Sequence, residues 1–305
     1  MHLITFTPKT APTSAPRVGA LLPGNRSVLN FAVAVDASAD VPLLTWFDLD
    51  DEWLPKARQI HDALAKSAER VETLPRGSVV PADDVLIGPP VPRPGKIICI
   101  GLNYKDHAAE SNMPVPTSPI TFSKYVTSVA GPGQPIALPT GSSQVDYEAE
   151  LAVVIGKRSK GVEVEKAFES VLGYMNLNDV SARDFQFSDG QWQRGKACDT
   201  FAPMGPYIVT KDEIADPHKL RVQCRVNGRT LQDSTTEQLV FGVDALVSFL
   251  SQTVTLEPGD VIATGTPPGV GFARKPPIFL KPGDIVEIEV EGLGVLSNPV
   301  VADNS

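Results

Sequence analysis

Residues 145–156, Val-Asp-Tyr-Glu-Ala-Glu-Leu-Ala-Val-Val-Ile-Gly, limit what this chain can become more than any other stretch. The run from Leu151 to Ile155 is apolar, rich in β-branched residues and closed by a glycine, the pattern of a buried strand. Residues two apart on a strand share a face, so Glu148 and Glu150 point the same way. Two carboxylates entering an apolar strand side by side repel each other, and burying either one unpaired is costly. A positive partner therefore belongs between them. It is either a pair of Lys or Arg side chains or a hard divalent cation that takes oxygen ligands. The other reading is that this strand end emerges into water and both glutamates are solvated.

With 305 residues the chain can bury a sizeable core. Its 27 Lys and Arg against 36 Asp and Glu, a net charge of -9, speak against nucleic acid or an anionic membrane as partner. Cys99, Cys198 and Cys224 lie far apart with no Cys-x-x-Cys pair, which speaks against a disulfide framework or a structural zinc site. No apolar run approaches the ~20 residues of a membrane span. The opening Met1-His2-Leu3-Ile4-Thr5-Phe6 lacks the basic and long apolar regions of a signal peptide, so a cytoplasmic protein is expected.

The expected fold class is α+β, mostly β. Residues 1–75 read as a small α/β domain, with a strand over 29–35 and an amphipathic helix over 51–71. Asp50 or Asp51 is placed to cap that helix, Pro55 sits in its first turns, and His61 is a surface or packing residue. Residues 76–95 form a Pro- and Gly-rich linker. Residues 96–305 read as one mostly β domain of sandwich or barrel type. Its strands are expected over 96–100, 261–263 and 284–290, and its helices over 162–172 and 237–252.

Several segments carry groups suited to chemistry. His107 and Glu110, three apart after a strand and a Gly-Leu-Asn-Tyr turn, would share a face of a helical turn. A carboxylate there raises the imidazole's basicity and fixes its tautomer, as a general base requires. Asp179 supplies a third carboxylate, followed one and two turns later by Arg183 and Gln186. Lys196 stands between Gly195 and Ala197 in a broken segment, and the turn 265–271 offers backbone N–H groups and the Thr266 hydroxyl to an anion. That turn is not a phosphate loop, because the Gly-Lys-Ser/Thr ending is absent.

The ordered set Gly-Leu-Asn-Tyr-x-x-His-x-x-Glu, Asp-Tyr-Glu-x-Glu-Leu-Ala-Val-Val-Ile-Gly, Asn-Asp-Val-Ser-Ala-Arg-Asp, Gly-Lys-x-Cys-Asp-Thr-Phe-x-Pro and Gly-Thr-Pro-x-Gly-Val-Gly resembles the fumarylacetoacetate hydrolase family. The resemblance runs from about residue 96 to 299 and implies that family's mixed β-sandwich roll or barrel in the C-terminal domain. It implies Mg2+ or Mn2+ on Glu148, Glu150 and Asp179, a water-activating dyad of His107 and Glu110, and an enolate-stabilising Lys196. It also implies substrate-site positions for Arg183 and Gln186, a substrate carboxylate contact for Thr266, and a place at the pocket rim for Lys124. The activity implied is hydrolysis of a C–C bond in a small β-diketo acid by a homodimer. Decarboxylation or keto–enol tautomerisation of oxaloacetate is the alternative, and a non-catalytic binding protein the reading from another class. Some acylpyruvate-cleaving members carry arginine where this chain has Leu102, which argues against short acylpyruvates.

Overall fold

A computed structural model of the chain describes residues 1–35 and 53–303. The chain opens on a meander of β1 (His2–Pro8), β2 (Arg17–Leu21) and β3 (Ser27–Asn30), followed by α1 (Phe31–Val35) and α2 (Trp53–Lys66). The short strands β4 (Val79–Pro81) and β5 (Val85–Ile87) lead to β6 (Ile97–Gly101), α3 (Lys105–Glu110), β7 (Ile120–Lys124), β8 (Val129–Ala130) and β9 (Ile136–Leu138). Next come β10 (Val145–Asp146), β11 (Ala149–Ile155), β12 (Val171–Asn178), β13 (Ser181–Ala182), α4 (Arg183–Gln186), α5 (Gln193–Lys196) and β14 (Ala202–Thr210). The chain ends through β15 (Arg221–Val226), β16 (Arg229–Thr235), α6 (Val243–Thr253), β17 (Val261–Ala263), β18 (Ile285–Val290) and β19 (Val295–Ala302).

Among the described residues the larger sheet runs β4-β3-β2-β1-β14-β12-β11-β17-β6-β7, and a second runs β16-β15-β18-β19-β9. Neither closes on itself, so the mostly β expectation is met by a sandwich and not by a barrel. Pairing of His2 with Val209 and Leu3 with Ile208 makes the N-terminal strands a continuation of the sheet that carries β11. The Pro/Gly-rich stretch contributes its two three-residue strands to the same sheet, on β3 and β1.

Every residue of β11 is buried, because both faces of its sheet are covered. Ala149, Leu151, Val153 and Ile155 face the core shared with β15 and β18, among them Val222, Cys224, Val286 and Ile288. Ala152 and Val154 face the opposite core, which α1 and α2 cover through Phe31, Ala57 and Leu64. Asn176 ties the two sheets together. Its side chain donates to the carbonyls of Gly205, Leu293 and Gly294 and accepts from the Val290 N–H at 2.7 Å. Asn176→Ala would leave several buried groups unpaired, and we expect it to cost about 3 kcal/mol of stability. The check is the urea midpoint at unchanged slope; a loss below about 1 kcal/mol would show that the sheets do not depend on this side chain.

Local expectations failed where an apolar run admitted two structures. The strand expected over 29–35 ends at Asn30 and continues as α1, since a short buried apolar run does not distinguish helix from strand. The helix expected over 162–172 is a 3-10 segment, Val164–Ser170, after which Val171 joins β12 opposite Ile155. The helix expected over 237–252 begins only at Val243, after Gly242. The helix expected over 51–71 is α2 with a 3-10 turn after it, Pro55 in its first turn, and His61 buried against the Leu21 carbonyl. The cap residues Asp50 and Asp51 lie outside the described residues.

Candidate active site

The acidic cluster is assembled where β11 begins and β12 ends. Ala149 pairs with Asn178, and the Asp179 N–H donates to the Glu148 carbonyl at 2.9 Å, so Asp179 leaves its strand beside Glu148. One carboxylate oxygen each from Glu148, Glu150 and Asp179 lie within 4.8 Å of one another. The three residues are 6%, 1% and 0% exposed, which removes the solvated reading of the glutamate pair.

Both kinds of positive partner left open by the sequence have to be weighed here, because three basic residues enter the cluster. Lys196 Nζ lies 2.8 Å from Glu148 Oε2 and 2.9 Å from Asp179 Oδ2. Arg183 contacts Glu148 Oε1 at 2.5 Å and holds Asp146 Oδ2 through Nε and Nη2 at 3.0 and 2.9 Å. Its Nη1 donates to Gln186 Oε1 at 3.0 Å. Lys124 is not at the rim. Its ammonium is buried, 2.7 Å from Asp179 Oδ1, and donates to the carbonyls of Val180, Phe201 and Lys196. Removing one partner of such a buried pair strands the other. Lys124→Met is expected to cost about 3 kcal/mol and to loosen the segment around residue 196, read as a lower melting temperature and faster amide exchange there. Unchanged melting would contradict that role.

Electrostatics separate the three acids. Burial opposes the charge of Glu148, but Lys196 and Arg183 outweigh it and hold the carboxyl down at about 2. Glu150 is pushed well above the usual range, by burial first and then by the charges of Asp179 and Glu148. Its only hydrogen bond among the described residues comes from the Gly265 N–H at 2.8 Å. Gly265 has φ +105°, and a Cβ there would meet Asn103 Cβ at 2.8 Å, so only glycine brings this N–H in. Burial works against the ammonium of Lys196, yet Asp179 and Glu148 raise it. With all four ionised, the buried acids Asp146, Glu148, Glu150 and Asp179 outnumber the three cations facing them, Lys124, Arg183 and Lys196, by one charge. Three hard oxygen donors with uncompensated negative charge fit a hard divalent cation such as Mg2+ or Mn2+.

Asp146 was not singled out in the sequence. Fully buried, it accepts from Gly271 and Phe272 N–H at 2.7 and 3.0 Å besides gripping Arg183. The two-residue alternation that pairs Glu148 with Glu150 does not reveal it, because it ends the separate strand β10. Gln232 was also missed. Its amide donates to Thr266 Oγ1 and the Pro267 carbonyl and accepts from the Ala149 N–H. The Thr266 hydroxyl in turn donates to the Ala149 carbonyl at 3.0 Å, so here it holds its turn against β11.

The His–Glu pair sits on α3, anchored through Asn103, whose amide bonds to the Phe241 backbone and the Thr264 carbonyl. His107 Nδ1 is 3.0 Å from Glu110 Oε2, and Glu110 Oε1 accepts from the Gly269 N–H at 2.9 Å. Partial burial would raise the Glu110 carboxyl, but the bonds from His107 and Gly269 keep it below its ordinary value. A cavity of about 460 Å³ brings this pair together with Glu148, Glu150, Arg183, Gln186, Lys196 and Thr266. Of the expected residues, only Asp179 and Lys124 lie behind its wall. A shallower depression of about 740 Å³ backs onto Phe122 and Trp192, and no acid, histidine or cysteine is among the described residues that line it.

A sequence profile described as fumarylacetoacetate (FAA) hydrolase C-terminal matches residues 96–301. A mitochondrial oxaloacetate tautomerase of Xenopus laevis is 44% identical over 303 residues, 99% of this chain and 90% of that protein. A mitochondrial oxaloacetate tautomerase of Bos taurus is 53% identical over 225 residues, 73% of this chain and 72% of that protein. The crystal structure of a 2-hydroxyhepta-2,4-diene-1,7-dioate isomerase from Mycobacterium marinum superposes with a TM-score of 0.66 at 43% identity, covering 75% of this chain and 83% of that one. The two tautomerases overturn the cytoplasmic expectation, since both are mitochondrial by name. That expectation rested on the lack of a secretory signal and of a membrane span, and neither feature bears on import into an organelle.

Proposed function

This chain belongs to the fumarylacetoacetate hydrolase family, and from that premise we propose that it interconverts the keto and enol forms of a small dicarboxylic keto acid of the oxaloacetate type. The observation that carries the reading is that the His107–Glu110 pair and two acids of the cluster, Glu148 and Glu150, open into one cavity, with Asp179 directly behind its wall. Tautomerisation moves a proton from the carbon between two carbonyl groups to the keto oxygen, so it needs one base and a positive field at the oxygen. The Glu110 carboxylate can only accept from the ring, so His107 Nδ1 donates to it, and in the neutral imidazole that leaves the lone pair on Nε2. Nε2 is then the atom that takes the carbon-bound proton and returns it at oxygen. Lys196 stays protonated beside Glu148 and Asp179 and contributes a fixed positive charge next to the developing enolate. Mg2+ or Mn2+ held by Glu148, Glu150 and Asp179 would act as a Lewis acid toward the keto oxygen. Gln186, bonded to Arg183, and Thr266 border the substrate.

The same dyad could deprotonate a water, and this keeps C–C hydrolysis of a β-diketo acid as a second reading. The relatives' names and Leu102 in place of an arginine favour tautomerisation. The test follows the enol absorbance of oxaloacetate after chelation and after Mg2+ or Mn2+ add-back, with product analysis in parallel. Cation-dependent equilibration without new products is the expected result. Two carboxylic acid fragments from a diketo acid, or CO2 from oxaloacetate, with no acceleration of tautomerisation, would overturn it. The homodimer implied by the family resemblance is part of the same proposal, and light scattering at the monomer mass would reject it.

A further inference from the structure

Little positive charge in the cavity is free to meet a substrate. Besides His107, its lining among the described residues holds three basic residues, Arg183, Lys196 and Lys275. Arg183 is committed to Asp146 and Glu148, and Lys196 to Glu148 and Asp179. Lys275 has no carboxylate partner among the described residues; it is exposed at the mouth while bordering the cavity.

The turn that carries Lys275 is pinned at both ends. The Gly271 carbonyl accepts from the N–H groups of Arg274 and Ile278 at 3.3 and 3.0 Å, and Arg274 Nε donates to the Gly269 carbonyl at 3.1 Å. Gly271 and Phe272 donate their N–H groups to Asp146, the acid that also grips Arg183. The mouth turn and the innermost arginine therefore hang from one buried carboxylate, which fixes where the base of the Lys275 side chain stands relative to the acidic cluster.

We propose that Lys275 is a specificity-determining residue that receives the distal carboxylate of a dicarboxylic keto acid at the cavity mouth. This deepens the tautomerase reading and rests on it. The keto oxygen and near carboxylate belong at the acidic cluster, where the chemistry is. The far carboxylate then lies toward the mouth, where Ile120, Phe187 and Phe272 are exposed and apolar, Ser111 and Asn112 are polar but uncharged, and Lys275 is the one exposed cation among the described lining residues. A carboxylate partly desolvated there is compensated best by a cation. Lysine is suited to this because its compact charge rides on a flexible stem, so it selects for charge more than for shape.

The experiment compares oxaloacetate with its distal monomethyl ester on the enzyme supplied with Mg2+. In Lys275→Met the ratio of kcat/KM for acid over ester is expected to fall about fivefold, the upper range for an exposed ion pair, and Lys275→Arg is expected to restore most of it. The acid-over-ester preference of the parent protein weakens with added salt, and that of the Met variant does not. An unchanged ratio in Lys275→Met overturns the proposal. A second measurement needs no turnover: calorimetric affinity for malate against lactate in the parent and in Lys275→Met. A selective weakening for malate supports the assignment, and equal loss or no loss for both overturns it. If the parent protein tautomerises neither acid nor ester, the tautomerase reading fails, and the malate–lactate comparison still decides Lys275.

Discussion

Glu150→Gln is expected to lower affinity for Mg2+ or Mn2+ by at least about a hundredfold and, at the same time, to stabilise the metal-free protein. The two effects have opposite signs because, among the described residues, Glu150 is hydrogen-bonded to the Gly265 N–H alone, while Glu148 and Asp179 lie within 4.8 Å. An amide keeps the shape and that hydrogen bond but gives up the charge a divalent cation needs. Without the cation, the amide also relieves like-charge repulsion that neither Lys124, Arg183 nor Lys196 contacts directly. Calorimetric titration with Mg2+ and a melting curve in chelator read the two effects separately. Undiminished cation affinity would remove Glu150 from the ligand set. Lost affinity together with a lower melting temperature would mean that the variant damages the fold instead of the site.

The second large effect is expected from His107→Ala, a fall in tautomerisation on the order of a hundredfold or more with cation binding retained. His107 faces the acidic cluster across the cavity, and among the described residues its ring is hydrogen-bonded to Glu110 alone. Its removal therefore takes away the proton carrier without touching the ligands. Glu110→Gln should follow it in direction with a smaller loss, since a neutral amide no longer favours the proton on Nδ1. Assays on oxaloacetate and on a β-diketo acid distinguish the two uses of the dyad. If Ala at this position leaves tautomerisation intact but removes cleavage of the diketo acid, the imidazole activates water and the hydrolase reading takes over.

Much of this site could be read from the sequence because its parts obey local rules. A strand alternates with period two, so the pairing of Glu148 with Glu150 on one face followed from their spacing. A helical turn brings residues three apart together, and His107 bonds Glu110 as that spacing requires. The same spacing does not reach Asp146, which ends the separate strand β10 and whose partners Gly271 and Phe272 are 125 and 126 residues away. Lys124, which the family resemblance puts at the pocket rim, is buried for a related reason. Here the carbonyls of Val180, Lys196 and Phe201 and the carboxylate of Asp179 enclose it from segments 55 to 77 residues downstream.

Local spacing alone was enough to put paired carboxylates at the end of a buried strand, to set a His–Glu turn after a second strand, and to make the chain mostly β. Spacing along a strand or a helical turn is set by backbone geometry, and those statements need nothing further. Tertiary structure alone decided that residues 31–35 would be helical, that the sheets would stay open, and that Asp179 would stand beside Glu148. It alone decided that Lys196 and Lys124 would hold opposite oxygens of Asp179, and that Lys275 would reach the mouth without a carboxylate partner. Each of these depends on contacts between distant segments, whose geometry comes from how two sheets pack and from which buried charges can be compensated there.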